Sequence, residues 1–501
     1  MLTRREFVQQ ATLAIGGLCY AAAQEKAEVV VKTPSGPLRG VQTEGVRVFR
    51  GVPFAQPPVG DLRFRAPQPI TPWKQVRNAT EFAPAAYQQD KTHRLSEDCL
   101  YLNIWAPQGA GPFPVYVWIH GGGFTGGRSF DPMFDGTGFA KNGIIVVTVA
   151  YRLGVFGFLD MEPLLGNSYR GSANNAVRDL IASLTWVKQN IGAFGGDPNK
   201  VTIGGESAGA KLTCLLMGVP SATGLFHQMI SESGGAERIW PRDRANQIAD
   251  EFGAAWKAVG NGVPLTKAAP GELILAQERM IRTSPVHFPL RVEIDGDLIP
   301  QTPLATIRGG STRGKRLLIG TNLDESASFI GTHPAKDADS QDLGNLTVEK
   351  FHPIDEAYKK LYPNLSPEMR RIRSVTAEEY WVPTMRVAEA HSSGGNRTYL
   401  YRLDFPGEGH FAGLAFHSYD LRFAWNHLGP EAAANAKDLA HTMNAAWTAF
   451  LKGEAMAAPG TPAWPTFDSD KQRTMIFDVP SHVAQRPQAE ELALWNGLLT
   501  Q

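Results

Sequence analysis

Cysteine is scarce. Three residues, at 19, 99 and 214 of 501, cannot knit a disulfide scaffold, so the core has to be held by packing. Neither charge sign is in excess, with Lys+Arg and Asp+Glu at 49 each. That balance gives no electrostatic footprint for nucleic acid or for an anionic membrane surface. Beyond the first two dozen residues no apolar run approaches the ~20 residues of a membrane span, which predicts no stable membrane insertion. No His-x-x-x-His pair sits on a helical stretch, no cysteines are spaced as metal ligands, and the glycine-rich loops lack the dinucleotide-binding context. Internal repeats and long low-complexity tracts are missing too. These absences leave a chain long enough for a large core, with no metal and no cofactor implied and a small neutral molecule as the expected partner.

What is present reads as alternating strands and helices. From Val29 to Phe49 an alternating pattern broken at Pro34-Ser35-Gly36 and Thr43-Glu44-Gly45 predicts short strands. The runs Val115–Ile119 and Ile144–Val149 lack polar alternation, as expected of central strands buried on both faces with helices on either side. Asn175–Asn190 carries Val177, Leu180, Ile181, Leu184 and Val187 at helical spacing. Short strands are expected at Leu317–Gly320 and Thr398–Tyr401, a charged helical excursion over the sheet edge at about 337–390, and a helix from Ala432 to Lys452 ending at Gly453.

The chain centres on Gly205-Glu206-Ser207-Ala208-Gly209, between the β-branched Val201-Thr202-Ile203 and the apolar stretch Ala210–Met217. A strand, a tight corner and a helix are the natural reading. The small residues at 205 and 209 allow a strained central residue and close approach of the two backbones. Ser207 would project from the corner above a helix N-terminus, with the Ala208 amide aimed at any oxyanion formed on a substrate.

The flanks make the match specific. Phe194 to Gly209, and separately Glu97-Asp98-Cys99-Leu100-Tyr101-Leu102-Asn103 through Pro107, resemble the two signatures of the type-B carboxylesterase/lipase family, which includes the cholinesterases. The resemblance covers about Val29 to Phe477. It implies an α/β-hydrolase fold, with a large, mostly parallel central sheet flanked by helices and helical insertions over an active-site gorge, in a single domain over 24–501. It also implies a serine carboxylesterase acting through an acyl-enzyme. In His120-Gly121-Gly122-Gly123-Phe124, directly after a strand, match to the family assigns Gly122 and Gly123, with Ala208, as the three oxyanion donors; a flexible surface turn is the alternative.

In this fold the acid and then the histidine follow the serine. Glu325, ending Gly320-Thr321-Asn322-Leu323-Asp324-Glu325, resembles the family's acid, with Asp324 the bland alternative and Asp295 a turn residue. His417, in His417-Ser418-Tyr419-Asp420-Leu421-Arg422-Phe423, resembles the base, although Ser418 stands where glycine is common; His410 and His427 are its rivals. Glu206 either tunes the field at His417 or braces the corner. Ser233, in Ser231-Glu232-Ser233-Gly234, is placed to hydrogen-bond beneath the site or to serve as a structural hydroxyl, the safer reading. Phe124, Phe288, Phe329 and Trp381 are expected to line the gorge and favour apolar or aryl groups of small to medium esters, each with a core role as the alternative.

A tryptophan-bearing loop before Cys99, expected of a cholinesterase, is lacking. The earlier cysteine to which the family's Glu-Asp-Cys residue is usually bonded is replaced in Pro84-Ala85-Ala86-Tyr87-Gln88, so Cys99 is expected as a buried free thiol and Cys214 as a core thiol, a bridge between them being the other option. Within the same fold, a non-catalytic adhesion-type binding protein and an esterase for a lactone, amide or toxin ester are alternatives. A monomer or weak homodimer is expected. Finally, Thr3-Arg4-Arg5-Glu6-Phe7-Val8, the apolar run from Ala11 and Ala21-Ala22-Ala23 resemble a twin-arginine export signal over 1–23, which predicts a periplasmic or secreted bacterial protein.

Overall fold

The computed structural model describes residues 27–286, 288–330 and 346–498. Residues 1–23, read above as resembling an export signal, lie outside them, as does the stretch 337–345 of the expected helical excursion.

The described residues form fifteen strands. The first five are β1 Ala27–Thr33, β2 Gly36–Thr43, β3 Val46–Pro53, β4 Arg77–Asn78 and β5 Tyr101–Pro107. The middle of the chain adds β6 Phe113–Ile119, β7 Ile145–Val149, β8 Gly196–Glu206, β9 Gln228–Glu232, β10 Ile239–Pro241 and β11 Val292–Ile294. The last four are β12 Arg316–Asn322, β13 Thr398–Leu403, β14 Thr474–Phe477 and β15 His482–Ala484. Thirteen of them make one sheet in the order β1-β2-β3-β5-β7-β6-β8-β9-β12-β13-β14-β15, with β4 on β2; β10 and β11 pair separately. The run from β7 through β6, β8, β9, β12 and β13 to β14 is parallel, and the strands at both ends are antiparallel. This is the mostly parallel α/β-hydrolase sheet that the sequence predicts.

Burial on both faces explains the unbroken apolar runs. Along β6, Val115, Val117 and Ile119 join one core cluster while Tyr116 and Trp118 join the other, on the opposite face. The second cluster is rich in rings: Trp425 lies 5.1 Å from Trp118 and 5.2 Å from Phe139. The helix Asn175–Asn190 forms over the predicted range and buries Val177, Leu180, Leu184 and Val187, with Ile181 half-buried. The helix Ala208–Met217 is buried along its whole length.

Between β12 and β13 the described chain is helical: Ala327–Ile330, Val348–Leu361, Pro367–Thr376, a π-helical turn Ala377–Trp381, and Val382–Ser393. These helices close on a satellite core into which Trp495, from the far end of the chain, is inserted. Trp495 Nε1 donates to Tyr358 Oη at 3.3 Å, and Tyr358 donates to Glu491 at 3.0 Å. No described helix is long and apolar enough to cross a membrane.

Candidate active site

At the carboxyl ends of the parallel strands, where ligands of such sheets gather, β8 runs into the corner that carries Ser207. Its backbone has φ 55° and ψ −122°, a conformation that costs a non-glycine residue about 1–3 kcal/mol. Two features hold it there. The Ser207 N–H donates to the Glu232 carbonyl at 2.9 Å. Gly205 and Gly209 press against the end of β6, where a Cβ would stand 2.4 and 2.0 Å from the Ile119 carbonyl oxygen. No larger residue fits at either position. Ser207 is half-buried, whereas the residues on either side of it are buried.

The glycine triplet lies over this corner. A Cβ on Gly121 would come within 3.1 Å of Ser207 Cβ, and Gly122 and Gly123 take φ 115° and 62°. Among the described residues, the amides of Gly122, Gly123 and Ala208 donate to no protein acceptor, so three N–H groups are left for a ligand. The loop is braced from behind: Tyr151 Oη donates to the His120 carbonyl at 2.7 Å, and the Gly154 amide donates to the Phe124 carbonyl. Burial pushes the His120 imidazole down to about 4, so it stays neutral.

His417 follows β13. Its Nδ1 lies 2.6 Å from Glu325 Oε2, and since a carboxylate only accepts, Nδ1 carries the proton. Glu325 is fully buried just beyond β12, and its other oxygen accepts from the Asn322 amide at 2.7 Å and from the Ser233 hydroxyl. The imidazole's Nε2 lies 3.2 Å from Glu206 Oε1, which also takes a 2.6 Å hydrogen bond from Ser418 Oγ. Burial alone would lower the pKa of His417; the charges of Glu206 and then Glu325 outweigh it and push it up to about 9. Burial also pushes Glu206 up to about 7, against the pull of His417 and Ser418. The rings of Tyr380 and Phe329 flank the imidazole at 4.9 and 5.1 Å.

These groups share a cavity of about 490 Å³. Ser207, Ala208, Gly122, Gly123 and His417 line it, with Glu325 behind His417. Phe124, Phe288 and Phe329 line it as predicted, Phe124 stacked on Phe158 at 4.5 Å. Trp381 does not. It is 2% exposed in the core beneath, with the Arg402 guanidinium 5.8 Å from its ring, and Tyr380 takes the wall position instead. The correction has a simple cause: on a helical turn adjacent side chains diverge by about 100°, so only one of the pair can face the cavity.

The rival groups have other work. Asp324 accepts the Ala415 amide at 3.1 Å and lies 3.3 Å from Arg373. Asp295 closes its own turn by accepting from the amides of Asp297 and Ile299. His410 and His427 are exposed. Cys99 and Cys214 are free and buried, and Cys214 Sγ meets Ser231 Oγ at 3.2 Å. Sequence reasoning missed Tyr380, Lys211 and Arg238 on the cavity wall. Lys211 carried a signal, a charge in the first turn of an apolar helix; Arg238 carried none.

The chain matches the model of the carboxylesterase family over residues 27–495. It belongs to that family. This carboxylesterase is 34% identical over 486 residues to the para-nitrobenzyl esterase of Bacillus subtilis, covering 92% of its own length and 97% of that protein's. It is also 34% identical over 483 residues to the fumonisin B1 esterase of Sphingopyxis macrogoltabida, covering 89% and 86% of the two chains. The solved structure of a PNB esterase superposes with a TM-score of 0.81 at 33% identity, over 93% of this carboxylesterase and 99% of that chain. The enzyme is a carboxylic ester hydrolase.

Proposed function

We propose that hydrolysis proceeds through an acyl-enzyme on Ser207, with His417 as general base and acid, Glu325 as its orienting acid, and Gly122, Gly123 and Ala208 as the oxyanion donors. Ser207 Oγ attacks the ester carbonyl carbon and His417 Nε2 takes its proton. Glu325 fixes the tautomer through Nδ1–H and stabilises the imidazolium. The three amides receive the oxyanion, each worth on the order of 100-fold or more in turnover. Collapse expels the alcohol, protonated by His417; a water deprotonated by the same nitrogen then attacks the acyl-enzyme and frees the acid. The rings around the cavity favour apolar or aryl groups of small to medium size.

The observation that carries this reading is the convergence on one cavity of a serine in a strained corner, three unused amides and an imidazole held by a buried carboxylate. A panel of aryl and alkyl esters tests it. 4-Nitrophenyl acetate should release a burst of 4-nitrophenol stoichiometric with enzyme, and Ser207→Ala should lose about 10⁴-fold or more in kcat. Turnover persisting in Ser207→Ala would overturn the assignment.

A further inference from the structure

The cavity wall is not uniformly apolar. Lys211, one turn beyond Ser207 on the helix Ala208–Met217, and Arg238, between β9 and β10, both line it, with side-chain exposures of only 5% and 4%. One carboxylate serves both. Glu379 Oε1 lies 3.0 Å from Lys211 Nζ and accepts from Arg238 Nε at 3.0 Å and from its Nη2. Glu379 is not part of the wall, so the cavity faces the cations. Lys211 is saturated, its ammonium also meeting the carbonyls of Gly234 and Glu379 at 3.4 and 3.1 Å. Arg238 is not: among the described residues no acceptor meets its Nη1, and its guanidinium carbon sits over the Phe288 ring, 3.8 Å from the centroid.

Further out, Arg291 feels the charges of Glu379 and Glu378, and Glu237 those of Arg386 and Lys211. Of the other charges on the wall, Arg128 pairs with Asp131 at 2.7 Å, and Glu206 stands beside His417 as the wall's negative group. Among the described residues, then, Lys211 and Arg238 share the carboxylate of Glu379, and that part of the wall presents more positive than negative charge, with donors of Arg238 unused. Burying such a group costs free energy that a bound anion offsets. A neutral acyl chain leaves the cost standing.

We propose, on the serine mechanism above, that the preferred substrate is an ester whose acyl part ends in a free carboxylate, received by Arg238 Nη1 with Lys211 adding its charge. The acyl part is the one concerned because the leaving alcohol must lie beside His417 Nε2, and hence beside Glu206, whose carboxylate repels an anion. Lys211, by contrast, stands on the helix that Ser207 caps, next to the carbonyl carbon that bonds to Ser207.

The test is a matched pair, 4-nitrophenyl hydrogen adipate against 4-nitrophenyl hexanoate, which differ only in a terminal carboxylate in place of a methyl group. With spontaneous hydrolysis subtracted, kcat/KM of the wild type for the adipate should be higher by on the order of 10- to 100-fold. Added salt should narrow the gap. In Arg238→Met the ratio should fall to near one, and in Lys211→Met it should fall part of the way. If either variant does not fold, the wild-type comparison still decides. An adipate no better than the hexanoate, or an anion preference seen only for 4-carboxyphenyl hexanoate over phenyl hexanoate, overturns the proposal. Failure to hydrolyse any of these esters overturns the serine mechanism itself and the proposal with it.

Discussion

His417 stands between two carboxylates, Glu325 at Nδ1 and Glu206 at Nε2, and that position sets its pH behaviour. In the proposed mechanism His417 acts as general base in its unprotonated form, and its neighbours push it up to about 9. kcat/KM should therefore climb as pH rises through a midpoint above the usual histidine value. Glu206 is the larger of the two raising charges, so Glu206→Gln should move that midpoint to lower pH; a pH–rate profile that does not shift would show its charge is not felt. Ser233 gives Glu325 one of its two donors beyond His417. Ser233→Ala should lower kcat about tenfold while the protein stays folded, since a buried acceptor then loses a charge-assisted bond. Ser207 and the glycine triplet were legible from sequence because their backbone geometry is written locally, in the residues on either side. Arg238 was not, because what makes it matter is a partner 141 residues away.

The element that most constrains the site is the pinch between β6, β8 and the helix after Ser207. Gly209→Ala would set a Cβ 2.0 Å from the Ile119 carbonyl oxygen, a backbone atom that cannot swing aside. Overpacking of this kind costs roughly 1–3 kcal/mol or more. The variant should show a lowered Tm, and its activity should fall further than stability alone explains because Ser207 moves with the corner. The π-helical turn Ala377–Trp381 gives a contrasting pair. Trp381→Phe should cost about 1–3 kcal/mol of stability with kcat/KM unchanged, as expected of a core position. Tyr380→Ala, on the wall, should alter KM for bulky esters. The two strongest strands and the helix Asn175–Asn190 could be read from their periodicity. The strand β5 and the short β9 could not be told from loop by pattern, since pairing with neighbours distant in sequence decides them.

Across the whole molecule, packing does what bridges do in smaller exported domains. Cys99 and Cys214 are both free, and burial holds each thiol well above its ordinary pKa. A thiol reagent should leave both unlabelled in the native protein and react with both after urea unfolding, and Tm should be the same with and without reductant. Faster native labelling than global unfolding allows would reveal local opening beneath Glu97–Cys99. The fold class was legible because buried parallel strands and helices alternate through most of the chain, and the helices between β12 and β13 were legible as a charged excursion, though not the contacts they make.

That roof depends on Trp495, whose indole fills the satellite core under Val348–Leu361. During synthesis the serine corner, the strands through β13 and His417 leave the ribosome well before residue 495 does. The newborn enzyme thus passes through a stage in which its chemistry is assembled while the cover above it has yet to acquire its keystone, and chaperones would meet it in that open form.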